Sequence, residues 1–246
     1  MVDFLQVMLG VTLLLIVICF VWKRPVPIFE NLQGKHVLIT GGSSGIGLEI
    51  AKEVLAQGCY ATLVARNRSR LLKAVEEILE EVKCNRDRID IKVADVSDYR
   101  AVFVAVNEAF EWKPIDILVC NAGLAYSSYL DKMHVEEIDL TIGTNLTGTV
   151  YTLNVALPLM KQRSNLHPSA VVLMGSLSSM YVLYGHALYT ATKYAMRGLA
   201  EALRLELLPF NIKVTHVCPG FVDTPMLRNI EGEVPHFPVF ELPSSA

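Results

Sequence analysis

Six short apolar runs punctuate the chain, at residues 36–40 (HVLIT), 60–65 (YATLVA), 89–94 (IDIKVA), 115–120 (IDILVC), 170–175 (AVVLMG) and 212–217 (IKVTHV). Each is rich in β-branched residues and apolar nearly throughout, the pattern of a strand buried on both faces. Between them, residues 46–57, 69–83, 98–111, 135–162 and 188–208 carry apolar positions at helical spacing. Strand and helix alternate, so the pattern predicts an α/β domain with a doubly wound parallel sheet and helices on both of its faces. There is no internal repeat and no low-complexity tract.

The two ends depart from this rhythm. Residues 4–22 (FLQVMLGVTLLLIVICFVW) carry no charge, and Gln6 is the one strongly polar residue among them. A helix of that length spans about 28 Å, close to the ~30 Å of a bilayer core. Lys23 and Arg24 follow at once, then Pro25 and Pro27, whereas only Asp3 precedes the run. Residues 1–24 therefore read as a transmembrane anchor, with everything after Trp22 on the cytoplasmic side. A cleaved signal peptide would want a basic start and a small-residue cleavage site, and neither is present; a buried core helix is the third reading. Residues 25–33 read as a linker and 34–225 as the main domain. Residues 226–246 hold three prolines and no clear period, so an irregular tail is expected there. The sheet would accept one more strand and helix, and the expectation is a fold truncated in its C-terminal part.

Composition narrows the classes. The 246 residues carry a formal net charge of -3 and are 52% hydrophobic, which suffices for a substantial core and offers no electrostatic reason to bind nucleic acid. Five cysteines (Cys19, Cys59, Cys84, Cys120, Cys218) are scattered, odd in number and free of any C-x-x-C pair. They read as reduced thiols in a reducing compartment, and no metal site is expected.

Candidate chemistry begins directly after the first strand. In TGGSSGIG (40–47), Gly41, Gly45 and Gly47 permit a tight turn, close approach of a phosphate and close helix–strand packing. The helix that follows offers free N–H groups and a positive dipole end to a pyrophosphate. Gly41, Ser43, Ser44, Gly45, Ile46 and Gly47 are thus candidate cofactor-binding residues, with the two serines as hydroxyl donors. The Gly-Lys-Ser/Thr of a P-loop is missing, which argues against nucleotide hydrolysis. The second strand ends in VARN, where an NAD site would place an acidic residue for the ribose 2′-hydroxyl. Arg66 suits a 2′-phosphate instead and favours NADPH; as a plain strand-end residue it would simply be solvated. Farther on, Tyr189 and Lys193 lie four apart and share a helix face. Alone, such a pair is as readily a snorkelling surface pair.

Together these segments resemble the short-chain dehydrogenase/reductase family, from Gly34 to about Pro225. TGGSSGIG is similar to the family's T-G-x-x-x-G-x-G, and YTATK (189–193) to its Y-x-x-x-K. CNAG (120–123) resembles N-N-A-G, with Cys120 in place of the first Asn. Ser176 precedes Tyr189 at the family's usual spacing, Asn145 falls in the long helix that carries the family's catalytic Asn, and PGFVDTP (219–225) is similar to the segment that frames the nicotinamide. The resemblance implies a Rossmann-type fold and hydride transfer to a carbonyl. Tyr189 would be the general acid, and Lys193 would lower its pKa from about 10 and bind the nicotinamide ribose. Ser176 would orient the substrate oxygen, and Asn145 would hold a water linking Lys193 to solvent. It further implies cofactor contacts at Asp95 and Val96, at Asn121, Ala122 and Gly123, and at Pro219, Gly220, Val222 and Thr224.

Within the family, the uncharged anchor, TGGSSGIG, VARN and YAMRGLAEALRLEL resemble the membrane-associated reductases of long-chain sphingoid-base ketones. That group implies NADPH and the cytosolic face of the endoplasmic reticulum membrane. A membrane-anchored reductase of steroid or retinoid carbonyls is the alternative substrate class, and a truncated, non-catalytic cofactor-binding relative is the alternative outside catalysis. By analogy, subunits would pair as a homo-oligomer through helices 98–111 and 135–162. His186 is a candidate pocket residue or a loop histidine. The sequons at Asn67 and Asn145 are expected to be accidental, since a glycan on Asn145 is incompatible with its role.

Overall fold

A computed structural model of the chain describes residues 8, 10–13, 29–163 and 167–230. The chain divides into two compact units, Met1–Glu30 and Asn31–Ala246. In the first, residues 8 and 10–13 are helical and exposed. The remainder of the expected anchor at 4–22, and residues 25–28 of the expected linker, lie outside the described residues. Among the described residues no helix is long and apolar enough to cross a membrane.

The second unit is a Rossmann-like α/β fold. Its strands are β1 (His36–Thr40), β2 (Tyr60–Ala65), β3 (Ile89–Val93), β4 (Ile117–Cys120), β5 (Ser169–Met174) and β6 (Ile212–Val217). They form one sheet in the order β3-β2-β1-β4-β5-β6, with every neighbouring pair parallel. The helices are α1 (Gly45–Ala56), α2 (Arg68–Val82), α3 (Tyr99–Trp112), α4 (Val135–Ile142), α5 (Gly148–Lys161), α6 (Ala187–Glu206) and α7 (Pro225–Ile230).

Strand side chains alternate between two buried layers, which explains their continuous apolarity. Leu38 joins the large core formed with Val102, Val106, Leu153 and Ala156 of α3 and α5. Val37 and Ile39 are equally buried but lie outside that cluster, on the side where α1 packs on β1 and β2. The chain reverses its direction of strand addition between β1 and β4. The carboxyl ends of those two strands therefore open a crevice, the usual place for a ligand in such sheets.

Two expectations from the pattern need correction. Residues 135–162 are not one α-helix: α4 and α5 are joined by a π-helical turn, Gly143–Thr147. A single π turn inserted in an α-helix commonly marks a functional position, and this one carries Asn145. The tail is not irregular from residue 226, because α7 is helical to Ile230. Pro225 suits a first helical position, the Thr224 hydroxyl accepts from Leu227 N at 3.4 Å, and Arg228 pairs with Asp223 at 2.8 Å. Residues 231–246 lie outside the described residues. Strand and helix bounds elsewhere differ from the expected ones by one or two residues, as hydrogen-bonded ends commonly do.

At the amino end of the sheet, His36 is fully buried. Its backbone N–H donates to Asp116 Oδ2 at 2.9 Å, and its ring contacts Lys113 O at 2.6 Å and Thr62 Oγ1 at 2.9 Å. Burial lowers its pKa to about 4, against the opposing pull of the Lys113 carbonyl and Asp116. The neutral ring is the folded form, so the unfolded chain takes up this proton first as pH falls. The ring costs nothing in stability above pH ~6.5 and progressively destabilises the fold between ~6.5 and ~4, by roughly 3 kcal/mol in all. Urea denaturation at stepped pH should show this slope in the wild type, and His36→Asn should flatten it. An unchanged slope in the variant would assign the acid sensitivity to other groups.

Candidate active site

The site is built on the turn between β1 and α1. Gly41 has φ +68°, and an added Cβ there would lie 2.9 Å from Ala122 Cα. At Gly47 an added Cβ would meet Gly41 O at 2.4 Å and Asn121 Nδ2 at 2.5 Å, so α1 can approach β1 this closely only without a side chain. The Thr40 hydroxyl accepts from Asn121 N at 3.0 Å and Ala122 N at 3.1 Å, while Asn121 Nδ2 donates to Thr40 O at 3.0 Å. Strand ends β1 and β4 are thereby clipped together.

Above this clip lies a cavity of about 610 Å³. Gly41, Ser43, Ser44, Gly45 and Ile46 form one part of its wall. The Ser44 side chain does not cap α1, and the first turn of α1 carries no acidic residue. Its N–H groups and dipole are left for an anion. Arg66, Asp95, Val96, Asn121, Ala122 and Gly123 line it as well. Arg66 Nη1 lies 3.5 Å from Asp95 Oδ2. Burial opposes ionisation of Asp95, but two hydrogen bonds from Ser97 and the Arg66 charge outweigh it and hold the carboxyl below its ordinary range. A cavity of this volume, with a helix N-terminus and a cation in its wall, fits a dinucleotide.

Tyr189 and Lys193 reach the same cavity from the first turns of α6. Ser176, just after β5, is oriented by its own turn. Its Oγ accepts from Ser178 N at 3.1 Å, and its N–H donates to Ser179 Oγ at 3.2 Å. The Ser176 side chain favours ionisation of the Tyr189 phenol. Lys193 is only 5% exposed, and its Nζ donates to Met174 O at 3.0 Å. Burial lowers the Lys193 pKa to about 8.

The expected effect of Lys193 on Tyr189 does not hold in this geometry. Burial pushes the phenol above its ordinary value, and Ser176 is the group that opposes the rise. Lys193 Nζ sits 5.5 Å from the Tyr189 ring centroid and spends its short hydrogen bond on a carbonyl instead of the phenolic oxygen.

Asn145 is buried, and its side chain is occupied. Oδ1 accepts from Leu124 N at 2.8 Å, and Nδ2 donates to Leu124 O at 2.9 Å and to Thr192 Oγ1 at 3.1 Å. Thr192 in turn donates to Tyr189 O at 2.7 Å. The expected water relay through Asn145 is therefore not carried by a free side-chain amide. Instead the amide braces the loop after β4 against α6.

A second cavity of about 230 Å³ adjoins the first. Pro219, Gly220 and Val222 line this one, and Thr224 borders both. Its wall also includes Leu177, Leu183, Phe221 and Leu227, and His186 takes a place there with its Nδ1 3.0 Å from Tyr184 O. Tyr189 borders both cavities, and Ser176 faces the apolar one. Of the two sequons, Asn145 is buried and Asn67 caps α2 by accepting from Arg70 N at 3.0 Å. Cys59, Cys84, Cys120 and Cys218 are free thiols; burial pushes Cys120 up to about 12. Cys19 lies outside the described residues.

Sequence reasoning overlooked Thr40, Leu124 and Thr192, which hold the site without lining it as reactive groups. Thr40 opens the glycine motif and Thr192 stands beside Lys193, and those positions were the available signal. Arg70 was also overlooked, although it lines the larger cavity.

The sequence model of the family described as short chain dehydrogenase matches residues 35–234. A 3-ketodihydrosphingosine reductase of Bos taurus is 39% identical over 79% of this chain and 58% of its own length. A 3-dehydrosphinganine reductase of Arabidopsis thaliana is 36% identical over 90% of this chain and 65% of its own length. The chain thus spans about two thirds or less of these relatives. Among solved structures, a 3-ketoacyl-(acyl-carrier-protein) reductase of Brucella melitensis complexed with NADH aligns with a TM-score of 0.75 at 28% identity, covering 82% of each chain.

Gly47→Ala should force α1 away from the Gly41 carbonyl and the Asn121 amide. The expected cost is about 1–3 kcal/mol in chemical denaturation, together with weakened nicotinamide dinucleotide binding. Wild-type stability and wild-type affinity in this variant would show that the close approach is dispensable.

Proposed function

The chain belongs to the short-chain dehydrogenase/reductase family, and we propose that it reduces 3-ketodihydrosphingosine to dihydrosphingosine with NADPH. The observation that carries this reading is Tyr189 at the meeting of a polar cavity, lined by the glycine turn and Arg66, and an apolar one that Ser176 also lines. The nicotinamide supplies hydride to the carbonyl carbon when bound. The residues of the chain do the remainder. Tyr189 gives its proton to the carbonyl oxygen, and Ser176 hydrogen-bonds and orients that oxygen. A raised phenol pKa keeps the proton on Tyr189 in the resting site. Lys193 carries its charge at neutral pH and places an ammonium in the wall of the same cavity, 5.5 Å from the Tyr189 ring centroid.

The apolar cavity suits an alkyl chain beside a reacting ketone, and the sphingoid-base ketone is the substrate named for the Bos taurus and Arabidopsis relatives. Arg66 in the wall of the larger cavity supports NADPH over NADH. Membrane anchorage through residues 4–22, with the domain on the cytosolic face of the endoplasmic reticulum, is part of the same proposal. It rests on the uncharged run and on Lys23 and Arg24 behind it.

The test is NADPH oxidation by the detergent-solubilised chain with 3-ketodihydrosphingosine, beside a ketosteroid. Turnover should be confined to the sphingoid ketone and fall at least ~100-fold in Tyr189→Phe. Lys193 loses its charge as pH rises through about 8, so kcat should decline there. Equal turnover of the ketosteroid would overturn the substrate assignment. An unaltered rate in Tyr189→Phe would overturn the acid.

A further inference from the structure

We propose that His186 recognises the amino group beside the reacting ketone and makes the site selective for α-amino ketones over plain long-chain ketones. This rests on the sphingoid-ketone reduction proposed for the site. In that reaction Tyr189 and Ser176 serve the carbonyl oxygen, and the apolar cavity takes the alkyl chain. The amino group is left over. It sits on the carbon next to the carbonyl, so it is carried in with the reacting group. A donor buried there without an acceptor carries a desolvation cost. Among the described residues no carboxylate lines the apolar cavity.

The polar side chains in its wall are Ser176, Tyr184, His186, Tyr189 and Thr224. Most are committed elsewhere. Ser176 Oγ accepts from Ser178 N, Thr224 Oγ1 accepts from Leu227 N, and the Tyr184 phenol pairs with the Tyr129 phenol at 2.7 Å. His186 differs. Its Nδ1 lies 3.0 Å from Tyr184 O, and a carbonyl only accepts, so Nδ1 carries the proton. In the neutral ring Nε2 is then an acceptor. Among the described residues Nε2 has no hydrogen-bond partner. The side chain makes no cap to α6, while the backbone is held at both ends: His186 N donates to Leu183 O at 3.2 Å, and His186 O accepts from Thr190 N at 2.8 Å. The His186 and Tyr189 rings meet edge to face with centroids 6.4 Å apart, close enough for one small polar head to touch both. An amine can therefore donate to Nε2 while its neighbouring carbonyl meets the Tyr189 hydroxyl.

The experiment measures NADPH oxidation by the detergent-solubilised full chain with 3-ketodihydrosphingosine and with 1-hydroxyoctadecan-3-one, its analogue lacking the amino group. The wild type is compared with H186L and H186Q, and H186F repeats the comparison if H186L disturbs α6. The wild type should favour the amino ketone by about tenfold or more in kcat/KM, the scale of one buried hydrogen bond to a charged or strongly polar group. In H186L that ratio should shrink to within about twofold. H186Q should keep most of it, because its amide oxygen can accept. An equal loss on both ketones in H186L, with the ratio preserved, would make His186 a prop for Tyr189 and overturn the proposal. So would an active wild type that reduces both ketones equally well. A wild type inert towards both ketones, with NADPH still bound, would remove the substrate assignment and this inference with it.

Discussion

The close approach of β1 and β4 at their carboxyl ends governs the geometry of the whole crevice. Two backbones and the start of α1 meet where neither Gly41 nor Gly47 has room for a Cβ. The Thr40 hydroxyl and the Asn121 amide satisfy the polar groups this crowding would otherwise strand. Were the approach looser, the α1 N-terminus would no longer point its free N–H groups at the cavity. The loop after β4 would also lose its anchor.

That loop carries the constraint across the site. Beyond Asn121 the chain reaches Leu124, whose backbone N–H and C=O are both held by Asn145. Asn145 also donates to Thr192, and Thr192 donates to the Tyr189 carbonyl. A connected path therefore runs from the glycine turn to the helix bearing Tyr189. The π turn at Gly143–Thr147 carries Asn145 along this path, so a departure from α-helical geometry serves as a brace between two walls. A buried amide with all its partners satisfied is rigid in the way that such positioning requires.

Burial acts on the two titratable groups of α6 in opposite directions. It raises the Tyr189 phenol and lowers Lys193 to about 8, because each neutral form is the better solvated one in a dry site. The ammonium is tolerated through its bond to Met174 O, at the end of the strand that also leads into Ser176. Strand β5 thus leads into Ser176 and holds Lys193 through the Met174 carbonyl. The two cavities meet at this point, one lined by glycines, serines and arginine and the other by apolar loops, so charge and chain are sorted to opposite sides of the phenol.

The sequence by itself determined whatever depends on neighbours along the chain. The six strands were legible because burial on both faces leaves an unbroken apolar run, and the phosphate turn because three glycines stand between a strand and a helix. Tyr189 and Lys193 were legible as a pair because four residues make one helical turn. Tertiary structure alone decided what depends on distances between remote segments. It bonded Lys193 to Met174 and not to the phenol, and occupied Asn145 with Leu124. It set Pro219, Gly220 and Val222 in the apolar cavity, brought Arg70 into the polar one, and placed a π turn inside an apparently regular helix. None of these follows from local periodicity, because each reflects which backbone atoms lie within hydrogen-bond reach once the sheet is assembled.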